Sequence, residues 1–546
     1  MALVYSRSFF DRMGGRYPAL VLVFLAGTID FALSGDLFNM FVGFELVAIT
    51  AVVLTGFYAE AEGPLEFAVT ASVGTLLFLV GIALLYDRTQ TLDLAGMGEA
   101  LSGHRLGGAA IVAFAALATA LLTKAAIVPF HFWLPDAYGT APVPACVLFA
   151  GVMSEMGVFG LARIWTTVFS GARMPGGTAG LSAGLCALGA LTALVGAVMA
   201  GRQRRLRRLL GFVTVSHTGL YLLGLGLLTS GATAAVAVLV VGDGLAKAAM
   251  FLAAGVVALH RSPGGSAGGV PGSRAGGPAR PCAAGSGHLE AARPLGSAGA
   301  ATLAILAVGA LALADLPPFA SAEGKNLLVV AAGRWGAPIE AVYALSVIGS
   351  SGAVLAAVGR RLQEALAARR VASGGLAVGG PAAGGAEAVG GGEDDETTST
   401  EEQAAGSGPA GAGRLLAPAV LLLAASLAVG VFPHLDRSAI RAATGMFDRR
   451  AYDAVVLRGH RLALPSPSPS RVPGGAALLD CAEALGAVVL GALLASRRGV
   501  GVVVRSAAAS VTGWLQRLHC GPVGDQVTWQ MLGTVALTAI AGVALR

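Results

Sequence analysis

The sequence predicts an all-α polytopic membrane protein with about thirteen transmembrane helices, two of them broken and related as inverted repeats. Three observations carry this prediction. Hydrophobic residues make up 55% of the chain and charged residues only 12%. The apolar residues fall in runs long enough to cross a bilayer, which takes roughly 20 residues per helix. Lysine occurs only at positions 124, 247 and 325, each inside an apolar segment, although Lys and Arg together number 37.

The first three runs cover about 17–33, 37–57 and 65–86, and the fourth about 107–138. Runs five to eight cover about 143–167, 179–200, 209–229 and 232–259. The ninth to thirteenth cover about 300–335, 338–358, 414–433, 476–496 and 530–545. Polar residues from Tyr5 to Arg16 precede the first run, so the N-terminus does not read as a cleavable signal. Two segments, 261–297 and 369–413, are rich in Gly, Ala, Pro and Ser, and the second carries the acidic run GGEDDETTSTEE. Neither can bury enough apolar surface to fold alone, so both are expected to be flexible loops. The expected organisation is a transmembrane core over 1–433 and a C-terminal extension over 434–546 with about two further helices.

The fourth run contains TALLTKAAIVPFHFWLPD, with Lys124 followed by Pro129 and Pro135. Proline removes a backbone donor and clashes with the preceding turn, so the helix is expected to break just after the lysine. Backbone freed in this way is tolerated in a membrane only against protein or water. The ninth run repeats the pattern in ALADLPPFASAEGKN, with Pro317, Pro318 and Lys325. The two broken runs lie five spans apart. Five is odd, so the second repeat is inverted relative to the first, the architecture of ion transporters with broken helices at the midplane.

Codon bias toward Arg explains why Lys is scarce, but not why the three that remain sit in apolar runs. Arg keeps its proton in proteins, whereas Lys can give one up when buried. A group that must alternate between charged and neutral states therefore has to be Lys. Other charges lie within the runs: Glu45 in GDLFNMFVGFELVAI, with Asp30 and Asp36 nearby, Glu155 in LFAGVMSEMGVFGLARI, His217 in LLGFVTVSHTGLYLLG, and Asp243 with Lys247 in VLVVGDGLAKAAMFLAAG. A charge at the bilayer centre costs at least about 2.5–3.5 kcal/mol on insertion scales, so such residues usually line an interior polar path. Asp243 and Lys247 are four apart and share one helix face, which also suits a simple structural pair. His217 suits hydrogen bonding as well as titration.

The five Cys are scattered and form no CxxC, and the eight His show no metal-ligand spacing, so neither an iron–sulfur cluster nor a zinc site is expected. No flavin, quinone or nickel motif is present, so no cofactor is expected and any redox chemistry belongs to partners. The net charge of +6 calls for no nucleic acid, because short Arg-rich loops account for it. The densest is GRQRRLRR at 201–208, which the positive-inside rule places in the cytoplasm. Counting spans back and forward puts the N-terminus and both flexible loops on the same side, and 434–475 outside.

In order along the chain, GDLFN and FELV, LTKAAIVPFHFWLPDAYGTAPVP, the Lys of AKAAMF, and LPPF with its downstream Lys form a recognisable set. Over about 17–433 the chain resembles the antiporter-like membrane subunits shared by proton-pumping NADH dehydrogenase (complex I), Mrp cation/proton antiporters and membrane-bound hydrogenases. GDLFN and the Asp243–Lys247 spacing are most similar to the Mrp D-type subunit. The tail WLQRLHCGPVGDQVTWQMLG resembles the extension of hydrogenase- and complex-I-like members.

The resemblance implies a multi-pass subunit of the cell inner (cytoplasmic) membrane. It would work beside other membrane subunits in the lipid bilayer and carry H⁺, with Na⁺ as a second candidate. Glu45 and Lys124 would be the coupling pair, Lys247 the central relay and Lys325 the exit-side group, with Glu155, His217 and Asp243 along the path. Glu155 stands where these families commonly have Lys or His, which implies an altered link between the half-channels, and the family's usual three or so helices before the first run are expected to be lacking here. The alternatives are a membrane-arm subunit of an NADH:quinone oxidoreductase or hydrogenase, and a structural membrane protein that does not pump.

Overall fold

The computed structural model describes residues 2–3, 15–57, 62–174, 177–261, 297–333, 336–373, 412–458, 476–495 and 533. Among these residues nine helices are long and apolar enough to cross a membrane, and Gly108–Lys124, Gly299–Leu313 and Leu415–Val431 are shorter apolar helices. Together they coincide with the first twelve anticipated runs. The thirteenth, about 530–545, lies outside the described residues apart from 533. Most of the two expected loops, 262–296 and 374–411, lies outside as well.

The first repeat opens with α1 (Arg16–Leu33), α2 (Leu37–Thr55) and α3 (Glu62–Thr89), followed by the short α4 (Leu94–Leu101). The GDLFN motif explains how α2 begins. Asp36 is its N-cap and accepts from the Asn39 backbone N–H at 2.9 Å. The Asn39 side-chain amide donates to Asp30 Oδ1 at 2.8 Å and to Ser34 Oγ at 2.6 Å, tying the end of α1 to the start of α2. Asp30 and Asp36 thus serve the α1–α2 corner, as expected of acceptors placed at a helix N-terminus.

The fourth run is α5 (Gly108–Lys124) and α6 (Trp133–Thr140), separated by an irregular turn. Lys124 is the last residue of α5, where the break was expected. Pro135 does not contribute to the break. It lies in the first turn of α6, where a missing N–H costs no intrahelical bond. α7 (Val143–Phe169) is one long span carrying π-helical turns at Phe149–Met153 and Trp165–Phe169.

The second repeat comprises α8 (Ala179–Arg202), α9 (Leu206–Gly226), α10 (Ser230–Arg261), the broken pair α11 (Ser297–Leu313) and α12 (Ala320–Ala332), and α13 (Gly336–Ser373). α13 runs into the segment expected to be loop from 369, because its Ala- and Arg-rich end has good helix propensity. α14 (Ala412–Val431), α15 (Pro433–Gly445), α16 (Arg449–Arg458) and α17 (Ala476–Ala495) follow. α10 is the hub of this half, packing on α7, α9, α11, α12, α14 and α15, while α17 packs along α13.

The Arg-rich connection at 201–208 is more than a surface patch. Arg207 is buried and donates to the Ala141 carbonyl at 2.9 Å, and Arg208 pairs with Asp136 at 2.9 Å. Arg207 thus holds the C-terminal end of α6, where a carbonyl at a helix end needs a donor, while Arg208 pairs with an acid in its first turn.

Candidate functional site

Both breaks place a corner residue in the left-handed region, Ala126 (φ 54°) and Asp315 (φ 55°), and each contains a cis X–Pro peptide, Val128–Pro129 and Pro317–Pro318. At the first break the freed backbone finds specific partners. Trp133 Nε1 donates to the Thr123 carbonyl at 3.0 Å, and the Val128 N–H donates to Thr192 Oγ1 at 3.1 Å. The Trp133 ring stacks on Phe67, with centroids 4.4 Å apart. These contacts let a non-helical segment persist inside an apolar bundle.

Lys124, Lys247 and Lys325 are 4%, 1% and 1% exposed, so all three ammonium groups are interior. Their surroundings differ. Lys124 Nζ has no hydrogen-bond partner among the described residues and sits 5.1 Å from the centre of the Phe44 ring, a cation–π contact. Phe44, Phe67, Thr70, Gly74, Thr123 and Trp133 line a small cavity beside it. Glu45 lies within electrostatic range of Lys124 but does not pair with it. Its Oε2 accepts instead from Thr75 Oγ1 at 2.5 Å, across the α2–α3 interface. The expected Glu45–Lys124 ion pair is therefore not formed in this conformation.

Lys247 does not pair with Asp243, although the two are four apart on α10. Lys247 Nζ reaches across to Glu155 Oε1 on α7 at 2.7 Å. Asp243 Oδ2 is 2.7 Å from His217 Nδ1 and accepts from Tyr221 Oη at 2.7 Å. Tyr221 Oη also lies 3.4 Å from Lys247 Nζ. The result is one continuous buried chain, Glu155–Lys247–Tyr221–Asp243–His217. Side chains at i and i+4 share a helix face, yet each can lean to a different neighbour when opposite charges are offered across the bundle. Glu155, expected to alter the link, is the counter-charge of the central lysine. Tyr221 was missed, although its position one turn after His217 could have indicated it.

Lys325 Nζ contacts Asp480 Oδ1 at 2.9 Å and Glu483 Oε1 at 2.6 Å, both on α17. Asn326 Nδ2 adds a bond to Asp480 Oδ2 at 3.2 Å. Sequence reasoning missed these two acids. They lie 155 positions or more from the lysine, in a segment taken as an extension, and only their i, i+3 spacing inside an apolar run marks them. Pro129, Pro317 and Pro318 lie in the breaks as expected.

A pair of matching helix breaks, two buried charge clusters and a further buried lysine within apolar spans define a multi-pass membrane protein of the repeat-built, broken-helix class. The chain belongs to the NADH:quinone oxidoreductase/Mrp antiporter transmembrane family, whose profile matches residues 34–355.

Curated relatives carry both halves of that description. The NADH-quinone oxidoreductase N subunit of Geobacillus kaustophilus is 32% identical over 219 residues, 38% of this chain and 44% of the relative. The Na(+)/H(+) antiporter D-type subunit of Alkalihalophilus pseudofirmus is 31% identical over 234 residues, 42% of this chain and 46% of the relative. The chain thus spans less than half the length of these relatives. Among solved structures, a chain of the Mrp complex from Dietzia sp. superposes with a TM-score of 0.58 at 24% identity, covering 84% of this chain and 83% of that one. A chain of the membrane-bound sulfane sulfur reductase, an archaeal respiratory membrane complex, gives 0.59 at 23% identity, covering 81% and 78%. Both likenesses establish the fold.

Proposed function

We propose that this chain is a proton-translocating membrane subunit of a multisubunit cation/proton antiporter or complex-I-like assembly in the cell inner (cytoplasmic) membrane. The observation that carries this reading is the buried chain Glu155–Lys247–Tyr221–Asp243–His217, flanked by Lys124 before it and Lys325 after it. Each group in that chain can hold or release a proton, and successive groups lie at hydrogen-bond distance. Short proton steps therefore suffice within the cluster, and water would bridge the gaps to Lys124 and Lys325. H⁺ is the transported ion and Na⁺ a candidate second cation. A redox-driven assembly is the second reading, favoured by the quinone-oxidoreductase name of one relative. The two readings differ in partner subunits, not in the chemistry of this chain.

Glu45 acts by its distance from Lys124. An unpaired buried ammonium is expensive. A carboxylate swinging from Thr75 toward Lys124 offsets that cost, and one swinging away restores it, so the position of Glu45 gates whether Lys124 keeps its proton.

Lys247→Arg tests the reading. Arg keeps the positive charge opposite Glu155 but does not release its proton. We expect the variant to insert and assemble normally while forming a much weaker pH gradient in inverted vesicles. Glu45→Gln, which can still accept from Thr75, should behave in the same way. Near-normal gradients in both variants, at unchanged complex abundance, would exclude a proton path through these residues.

A further inference from the structure

We propose that the terminal proton site of this chain is a four-group cluster, Asp315, Lys325, Asp480 and Glu483. In this cluster Asp315 receives protons from the central chain and α17 supplies the two acids that complete the site. The inference rests on the proton-relay reading above and extends it to residues outside the family match, since Asp480 and Glu483 lie beyond 355.

Asp315 is 1% exposed, with the Tyr343 hydroxyl within hydrogen-bonding reach and no ion-pair partner among the described residues. It lies within electrostatic range of Asp243 of the central chain and of Lys325, Glu483 and Asp480. Tyr343 stands beside it, and the same Tyr343 ring lies 5.9 Å from Lys325 Nζ. Asp315 therefore lies within reach of both the central chain and the terminal lysine. The fold does not need an acid there. The first break makes the same left-handed corner with Ala126 (φ 54° against 55°). A buried carboxylate without a paired cation that serves no structural end is costly, and protonation removes the cost.

The acids of α17 strengthen the case. Asp480 and Glu483 are three apart, so they share one face, and that face is buried while Leu478, Leu479 and Leu485 on the rest of the helix are exposed. Three carboxyl groups face one ammonium. Full ionisation would leave two uncompensated negative charges inside the bundle, so the cluster must hold protons, and the number held can change. In each transfer one bond to hydrogen breaks on the donor as one forms on the acceptor: from Asp243 to Asp315, then from Asp315 to Glu483 or Asp480, with no electrons exchanged.

Vesicle pH gradients and complex abundance in Asp315→Ala, Asp315→Glu and the triple variant Lys325→Gln/Asp480→Asn/Glu483→Gln test the proposal. Ala at the corner is compatible with the backbone, as position 126 demonstrates, so Asp315→Ala should assemble. We expect translocation to fall on the order of 10²-fold in Asp315→Ala, as for loss of a proton-transfer group, and to recover in part in Asp315→Glu. The triple variant keeps the shapes and removes the charges, so it should assemble and fail to pump. Normal pumping in Asp315→Ala, or in the triple variant, overturns the terminal site. If Lys247→Arg has meanwhile abolished pumping, the relay reading stands without it. If Lys247→Arg also pumps normally, the relay reading itself falls.

Discussion

The turn out of α5 and the turn out of α11 follow the same backbone course. In the first, Ala126 N–H donates to the Thr123 carbonyl, Ile127 N–H to Leu122 and Phe130 N–H to Ile127. In the second, Asp315 N–H donates to Ala312, Leu316 N–H to Leu311 and Phe319 N–H to Leu316. The carbonyls of Thr123 and Ala312 also receive a matching side-chain donor from just beyond the break, Trp133 Nε1 in one and Ser321 Oγ in the other. Where Val128 must send its N–H to Thr192, the corresponding residue is Pro317, which has no N–H to satisfy. The repeat is thus preserved as a pattern of satisfied backbone groups, reached with different residues.

The chemistry hung on that shared backbone is different. The first break carries its lysine before the corner, without a carboxylate in contact. The second carries an acid at the corner and its lysine after it, clasped by two carboxylates from α17. An unpaired lysine is free to change its partner, whereas a doubly paired one is held. On the proposed relay, the contrast suits a movable coupling group at one end and a fixed loading site at the other.

The largest expected effect is on stability. Lys325→Ala leaves Asp480 and Glu483 buried without a cation, and breaking a buried pair by removing one partner costs about 3–5 kcal/mol. Lys124→Met removes a buried charge that has no contact partner, so stability should be unchanged or improved. Thermal unfolding of the solubilised complex measures both. Translocation should fail in each variant, but only Lys325→Ala should lower the melting temperature. Equal melting temperatures would show that α17 does not depend on the lysine it clasps.

A smaller effect concerns what grips each break. Gly157 of α7 lies against the Leu121 carbonyl and Ala125, and Gly430 of α14 against the Pro318 carbonyl and Ala320. A Cβ at Gly157 would come within 2.8 Å of the Ala125 nitrogen, and one at Gly430 within 2.6 Å of the Ala320 nitrogen. Alanine at either site must push two backbones apart, at a cost of about 1–3 kcal/mol for overpacking. Similar losses of complex abundance in Gly157→Ala and Gly430→Ala are expected. Tolerance at one site only would mean that a single break is held by its neighbour.

The spans and breaks were legible because they are local: apolar run length and proline position are written in consecutive residues. So was the burial of the three lysines, since no apolar helix can hide a charge except inward. Partner choice was not legible. Lys247 prefers Glu155, far away on α7, to Asp243 one turn back, and Lys325 takes its partners from a helix beyond the expected core boundary. Such pairings depend on which helices become neighbours, and that follows from packing between segments far apart in sequence. Glu45 illustrates the same limit. Its position within a run was clear, but its hydrogen bond to Thr75 arises only where α2 meets α3.

The smallest effect separates hydrogen bonding from packing at the breaks. Ser321→Ala removes the donor to the Ala312 carbonyl, and Trp133→Phe removes the donor to Thr123 while leaving a ring to stack on Phe67. Neither carbonyl is orphaned, because each still accepts a backbone N–H, from Asp315 and Ala126 respectively. The cost should therefore stay near that of one net hydrogen bond, about 0.5–1.5 kcal/mol in each variant. If the two breaks are equivalent as backbone structures, the two losses should be close, read as shifts in melting temperature of the same complex. A loss in Trp133→Phe well above that in Ser321→Ala would place the difference in the larger ring's packing. In that case the first break is held by its aromatic stack and the second by its hydrogen bond.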